Sequence, residues 1–200
     1  MRPEIAYRIS DWDTPLRVNP NRSAGRYNHA GSPATQYVGL HPLTPWAEYL
    51  RSNDLRDIES LAERRLRIWV LQLDLSPAVE ITFDNAGDYG LSPDDLVDDD
   101  HRVCQELGGR LRSDPTLPET LIVPSAALPG TKNVVIFGDR VRIPYGWNPV
   151  DEGDIPTSVL AERSQPPDGI AALVRYSGED HAGLVEWRLA GSGAPPPDLG

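Results

Sequence analysis

The sequence predicts a single α+β domain, and three observations carry that prediction. Short strand-like stretches, among them IAYRIS, ATQYVGL and RIWVLQLDL, either alternate apolar and polar residues or run apolar throughout. Helix starts at Thr44-Pro45 and Ser92-Pro93 fall among them unevenly, without the regular alternation of a doubly wound sheet. A chain of 200 residues, 39% of them hydrophobic, is long enough for one full core.

Taken in order, IAYRIS is a strand with Tyr7 and Ile9 on one face and Arg8 on the other. The polar, Pro- and Asn-rich segment from Asp11 to Ala24 is a loop. Gly25 and Asn28 bracket a tight turn, Gly31-Ser32-Pro33 makes a second, and Ala34 to Leu40 is a short strand. Thr44 then serves as N-cap and Pro45 as the first helical residue, which puts Glu48 in the first turn or just beyond it. Asn53 caps a further helix carrying Leu55, Ile58, Leu61 and Ala62. Leu66 to Leu75 is a strand ended by Ser76-Pro77, and VEITF a second short one.

The segment LSPDDLVDDDHRVCQELGGRLR reads as one or two helices stopping at Gly108-Gly109, with the acidic run Asp94 to Asp100 as a solvated face. Leu121 to Val123 and Val134 to Phe137 are continuous apolar runs of the kind found in central strands. After Trp147 the composition turns to Pro, Asp and Glu, so a domain boundary falls at 148 and a linker runs to Asp168. The extension over 149–190 is expected to hold a strand pair, Ile170 to Tyr176 and Leu184 to Leu189, and the tail 191–200 to be disordered.

A net charge of −11 argues against a broad nucleic-acid surface, because phosphate contacts need clustered cations. Lys132 is the one lysine, so nearly all positive charge is arginine, which grips phosphates bidentately. No apolar run approaches a membrane span, and the N-terminus has no signal-peptide core. The single cysteine, Cys104, cannot form an internal disulfide; with the other features this predicts a cytoplasmic protein.

The most informative stretch is GRYNHAGSPATQYVGLHPLTPWAEYLR, residues 25–51. Arg26 sits in the turn, Tyr37 eleven residues later on the strand, and Glu48 eleven after that in the helix. Downstream, LIVPSAALPGTKNVVIF sets Ser125 and Asn133 between two strands. Together these residues, over roughly Tyr7 to Trp147, resemble the RES domain family. The resemblance implies an ADP-ribosyltransferase-like fold, with a mixed sheet core flanked by a few helices. It further implies an enzyme that cleaves the nicotinamide–ribose bond of NAD by hydrolysis or phosphorolysis, as the toxin of a bacterial type II toxin–antitoxin system. The implied partner is a cognate Xre-like helix-turn-helix antitoxin that blocks the NAD cleft, with no direct contact between toxin and nucleic acid or membrane.

The residue types suit that chemistry. NAD presents an anionic diphosphate, a flat nicotinamide and a ribose on which positive charge develops as the glycosidic bond breaks. Arg26, with Arg8 beside it, is the candidate diphosphate clamp. Tyr37, and with it Tyr27, offers an aromatic face, and the Tyr37 hydroxyl a hydrogen bond. Glu48 is the candidate carboxylate that binds ribose hydroxyls and stabilises the developing cation, kept ionised near the helix N-terminus. Ser125 is expected to position the nicotinamide amide or the diphosphate, with Asn133 in support. Pro124-Ser125-Ala126 lacks a nucleophile elbow.

The four histidines have no metal-ligand spacing, and there is neither a Walker loop nor G-x-G-x-x-G. No metal or cofactor is therefore expected, and NAD is read as a substrate gripped by side chains. Tyr27 departs from the tryptophan that such proteins often carry after the turn arginine. Two alternatives stay open: transfer of ADP-ribose to a specific protein, and a non-catalytic interaction module of the same fold.

Overall fold

Strand and helix periodicities close into one α+β domain in the computed structural model, which describes residues 4–9, 23–33, 35–137 and 159–192. Its centre is a seven-stranded sheet in the order β4-β5-β6-β2-β1-β3-β7. The strands are β1 (Glu4–Ile9), β2 (Thr35–Gly39), β3 (Leu66–Leu73), β4 (Val79–Glu80), β5 (Thr120–Pro124), β6 (Lys132–Phe137) and β7 (Val159–Ser164). The helices are α1 (Thr44–Ser52), α2 (Ile58–Ala62), α3 (Arg102–Ser113) and α4 (Ala182–Ser192). All neighbouring strands pair antiparallel except β4 with β5.

Register fixes what each face carries. Tyr7 stands opposite Gly39, Gly39 opposite Asn133, and Asn133 opposite Val123, so these four share one row across the sheet. One residue along each strand, Ala6, Val38 and Val134 point the other way and pack with Leu71, Leu73 and Ile136. On the first face lie the helices. α1 buries Trp46, Ala47 and Leu50, and α3 buries Cys104, Leu107, Gly108 and Leu111, each set on one helical stripe.

Several local expectations are corrected. α1 begins at Thr44 with Leu43 as its cap residue, and the Thr44 hydroxyl donates to Thr131 Oγ1 at 3.1 Å instead of capping. Asn53 closes α1, while Asp57 caps α2 by accepting from the Ser60 N–H at 2.6 Å. VEITF contributes only its first two residues as a strand.

α3 does not stop at Gly108-Gly109 but runs on to Ser113. Gly108 is there for space: a Cβ on it would lie 2.1 Å from the Tyr27 carbonyl oxygen. The acidic run is not simply a solvated face either, since Asp99 pairs with Arg51 and Arg175.

The strand pair expected in the C-terminal extension is absent among the described residues. Ile170–Ala172 is a short 3-10 turn, and 182–192, which includes Leu184 to Leu189, is α4. β7 lies inside the expected linker and pairs with β3. Ile170, Val174 and Tyr176 pack with α1, and Leu184 with α3, so the extension shares the core with the rest of the domain. Residues 11–22, 148–158 and 193–200, on which the loop, the first half of the linker and most of the tail were placed, lie outside the described residues.

Candidate active site

α1 packs on the helical face of the sheet over β1 and β2, and a cleft of about 570 Å³ opens beside it. Glu48 lies at the start of the second turn of α1, just beyond the first, as its spacing from Thr44 predicts. What orients it is the sheet. Ser125 Oγ donates to Glu48 Oε1 at 2.9 Å and Asn133 Nδ2 donates to the same oxygen at 2.6 Å. Oε2 has no protein partner among the described residues, which leaves one carboxylate oxygen for a ligand.

Ser125, expected to position a ligand, turns its hydroxyl to Glu48. It is 0% exposed, because the chain leaving β5 turns under α1 before returning as β6. Its hydroxyl also accepts from Leu128 N–H at 3.1 Å, and its carbonyl meets His181 Nε2 at 3.0 Å. Because His181 Nδ1 accepts from the Leu184 N–H at 3.1 Å, Nε2 is the nitrogen that donates to Ser125. Ser125 is thus a positioning residue for Glu48. Asn133 plays the same part while also lining the cleft.

Arg26 reaches the cleft from the turn between Gly25 and Asn28, whose two backbone groups pair with each other. Its Nη1 donates to the Asp95 carbonyl at 3.1 Å, a neutral acceptor that leaves the cation uncancelled. α3 clamps this turn: Gln105 Nε2 donates to the Gly25 carbonyl at 2.9 Å and Arg112 Nη2 to the Tyr27 carbonyl at 3.2 Å. Gly25 is required by crowding, since a Cβ would sit 2.6 Å from Asn28 Oδ1 and 2.9 Å from the Tyr37 hydroxyl.

Tyr37 is half-buried and presents its ring to the cleft. Its hydroxyl is not offered to a ligand: it donates to Asn28 Oδ1 at 2.8 Å and accepts from Tyr27 N–H at 3.0 Å. Burial pushes that hydroxyl up to about 12. The Tyr27 ring, expected to face the substrate, is only 1% exposed and packs in the core with Cys104 and Leu107. Its phenol is raised well above the usual range by burial. Arg8 borders the cleft along β1, but its guanidinium is bound elsewhere. Strand alternation sends its guanidinium to the opposite face of the sheet, where Nη1 donates to Gln36 Oε1 at 2.8 Å. Burial there lowers Arg8 to about 10.

Other residues complete the cleft that the sequence reading missed. Arg51 follows Glu48 by one helical turn, and that i, i+3 spacing was the signal available for it. His101, on the loop entering α3, had no signal. Burial first, then the charges of Arg26 and Arg51, lower the His101 imidazole to about 4 against the pull of Asp99 and Asp100. Although burial opposes it, the Gly178 N–H and the Arg175 and Arg51 guanidiniums hold Asp99 below the usual carboxylate range. Ser177, in the C-terminal segment, lines the same cleft.

Among the described residues, no group of three or more His, Cys, Asp or Glu side chains is placed to hold a metal ion. None of their helices is long and apolar enough to cross a membrane. The RES domain family model matches residues 5–157. No curated protein matches the sequence. Among solved structures, the fold is similar to a chain in the crystal structure of the M. tuberculosis MbcT-MbcA toxin-antitoxin complex. The TM-score is 0.55 at 20% identity, over 70% of this chain and 78% of that one.

Proposed function

The chain belongs to the RES domain family, and from that premise we propose that it is the toxin of a toxin–antitoxin pair and acts by cleaving the nicotinamide–ribose bond of NAD. The observation that carries this reading is Glu48, fixed through one oxygen by Ser125 and Asn133, with its other oxygen unpartnered beside a cleft that also holds Arg26 and the Tyr37 ring.

In this reading the Tyr37 face stacks on nicotinamide and the free Glu48 oxygen takes a ribose hydroxyl. The glycosidic C–N bond breaks with its electron pair leaving on nicotinamide, and positive charge develops on the ribose. The fixed Glu48 carboxylate stabilises that charge without having to reorganise. An oxygen of water or phosphate then bonds to the anomeric carbon and gives up its proton to solvent. The solved MbcT-MbcA assembly supports a partner antitoxin for this chain as well.

The test is incubation of purified protein with NAD, with and without phosphate, and identification of the products. Glu48→Gln keeps an oxygen for Ser125 and Asn133 but removes the charge. Turnover is expected to fall about a hundredfold or more with thermal stability unchanged. NAD loss by the variant at the wild-type rate would sink the assignment. Growth arrest on expression, relieved by co-expressing a helix-turn-helix protein encoded beside this chain, tests the pairing; no growth arrest would count against the toxin reading.

A further inference from the structure

Arg51 is the cleft residue whose bonding is least complete. Its side chain is only 8% exposed; Nη2 pairs with Asp99, but Nη1 is buried with no hydrogen-bond partner among the described residues. A guanidinium N–H hidden from water without an acceptor is a donor awaiting one. Burial lowers the Arg51 pKa first, and the Arg175 and Arg26 charges lower it further. Those three cations outnumber the two carboxylates that oppose them there, Asp99 and Glu48. Arg26 is bound to a backbone carbonyl and Arg175 already spends Nη1 on Val97 and Asp99. Local positive charge thus survives in a chain whose net charge is −11.

We propose that Arg51 and Arg26 together form the phosphoryl-anion subsite of the cleft, in place of the pairing of Arg26 with Arg8. The ligand chemistry is a phosphoryl oxygen, from the diphosphate of a dinucleotide or from free inorganic phosphate. The dinucleotide source rests on the reading above; the subsite itself does not. Arg51 and Glu48, one turn apart on α1, set the distance between the phosphoryl group and the ribose. The neutral imidazole of His101 stands in the field of both arginines, and a bound anion would raise its proton affinity.

The test is calorimetric titration of the full chain with inorganic pyrophosphate, inorganic phosphate and ADP-ribose, for wild type, Arg51→Gln and Arg51→Lys, with His101 followed by NMR. Pyrophosphate is expected to bind wild type and to raise the His101 pKa from about 4. Arg51→Gln is expected to weaken pyrophosphate about tenfold to a hundredfold, and Arg51→Lys to recover part of that. Competition between phosphate and ADP-ribose assigns the subsite to the dinucleotide; simultaneous binding assigns it to free phosphate.

Equal pyrophosphate affinity in Arg51→Gln and wild type, or no binding of any of the three to wild type, overturns the proposal. Arg51-dependent pyrophosphate binding without NAD turnover keeps the subsite and removes NAD cleavage. Unchanged NAD turnover in an Arg51→Gln variant that has lost pyrophosphate affinity keeps the subsite and removes the dinucleotide as its source. Should Arg51→Gln fail to fold, Arg51→Lys and the His101 shift in wild type decide alone.

Discussion

Tyr37 shows how one side chain ties a binding surface to the fold. Its ring faces the cleft, while its hydroxyl locks the Arg26 turn by donating to Asn28 and accepting from Tyr27 N–H. Tyr37→Phe keeps the ring face and removes both bonds. Asn28, itself 2% exposed, would be left with an unsatisfied Oδ1. The expected cost is about 1–3 kcal/mol in urea unfolding. If the proposed NAD cleavage holds, KM for NAD should rise more than kcat falls, because the turn that carries Arg26 loosens. A variant as stable as wild type would mean that α3 alone holds the turn. Glu48 and Ser125 make the complementary case, in which the hydroxyl of a wholly buried residue orients a carboxylate it was expected to work beside.

Helix α3 carries two adjacent glycines that look alike in sequence and differ in the fold. Gly108 faces the Tyr27 carbonyl at a distance no Cβ tolerates, whereas a Cβ on Gly109 would meet nothing within 4 Å. Gly109→Ala should therefore stabilise the protein by up to about 1 kcal/mol through helix propensity. Gly108→Ala should lose that gain and a further ~1–3 kcal/mol, because the turn bearing Arg26 must shift. Equal effects of the two substitutions in thermal melts would refute the close approach.

The same helix shows what sequence could and could not tell. Paired glycines read as a stop, since the reason for Gly108 lies eighty-one residues away at Tyr27. The central strands were legible because their apolar runs and alternation are local. Glu48, Arg26 and Tyr37, which the fold brings to one cleft, were singled out by residue type and order together with the resemblance to the RES domain. Arg8 was half legible, as strand alternation already set it opposite Tyr7. Ser125 was not, because its burial follows from how α1 packs on the β5–β6 connection. Leu184 to Leu189 alternates like a strand yet is helical; its start is capped by His181, which is outside the usual capping residues.

At the scale of the whole molecule, two histidines whose pKa values are lowered couple the fold to pH. His181 links the start of α4 to the Ser125 carbonyl beneath Glu48, and His101 lies between α3 and the cleft arginines. Burial is the first cause that lowers each pKa; for His101 the Arg26 and Arg51 charges add to it and Asp99 and Asp100 oppose. For His181 the Ser125 bond opposes, while Arg175, Arg51 and Arg26 reinforce. A group with a folded pKa below its unfolded value of 6.5 binds fewer protons folded than unfolded. The stability it contributes is complete above that value and is lost as pH falls, toward about 4 for His101.

Asp99, lowered from 3.8, contributes its loss only below that value, so the two effects occupy separate windows. Unfolding free energy should therefore decline below pH 6.5, for His101 down to about pH 4, by at most about 1.4 kcal/mol per pH unit for each imidazole. Solvent at half-buried His101 reduces its share. His101→Gln should flatten this limb in urea titrations at several pH values and leave the limb below 3.8 in place. An unaltered limb in that variant would show that the charge on His101 is not felt by the fold, and would return the acid sensitivity to His181 alone.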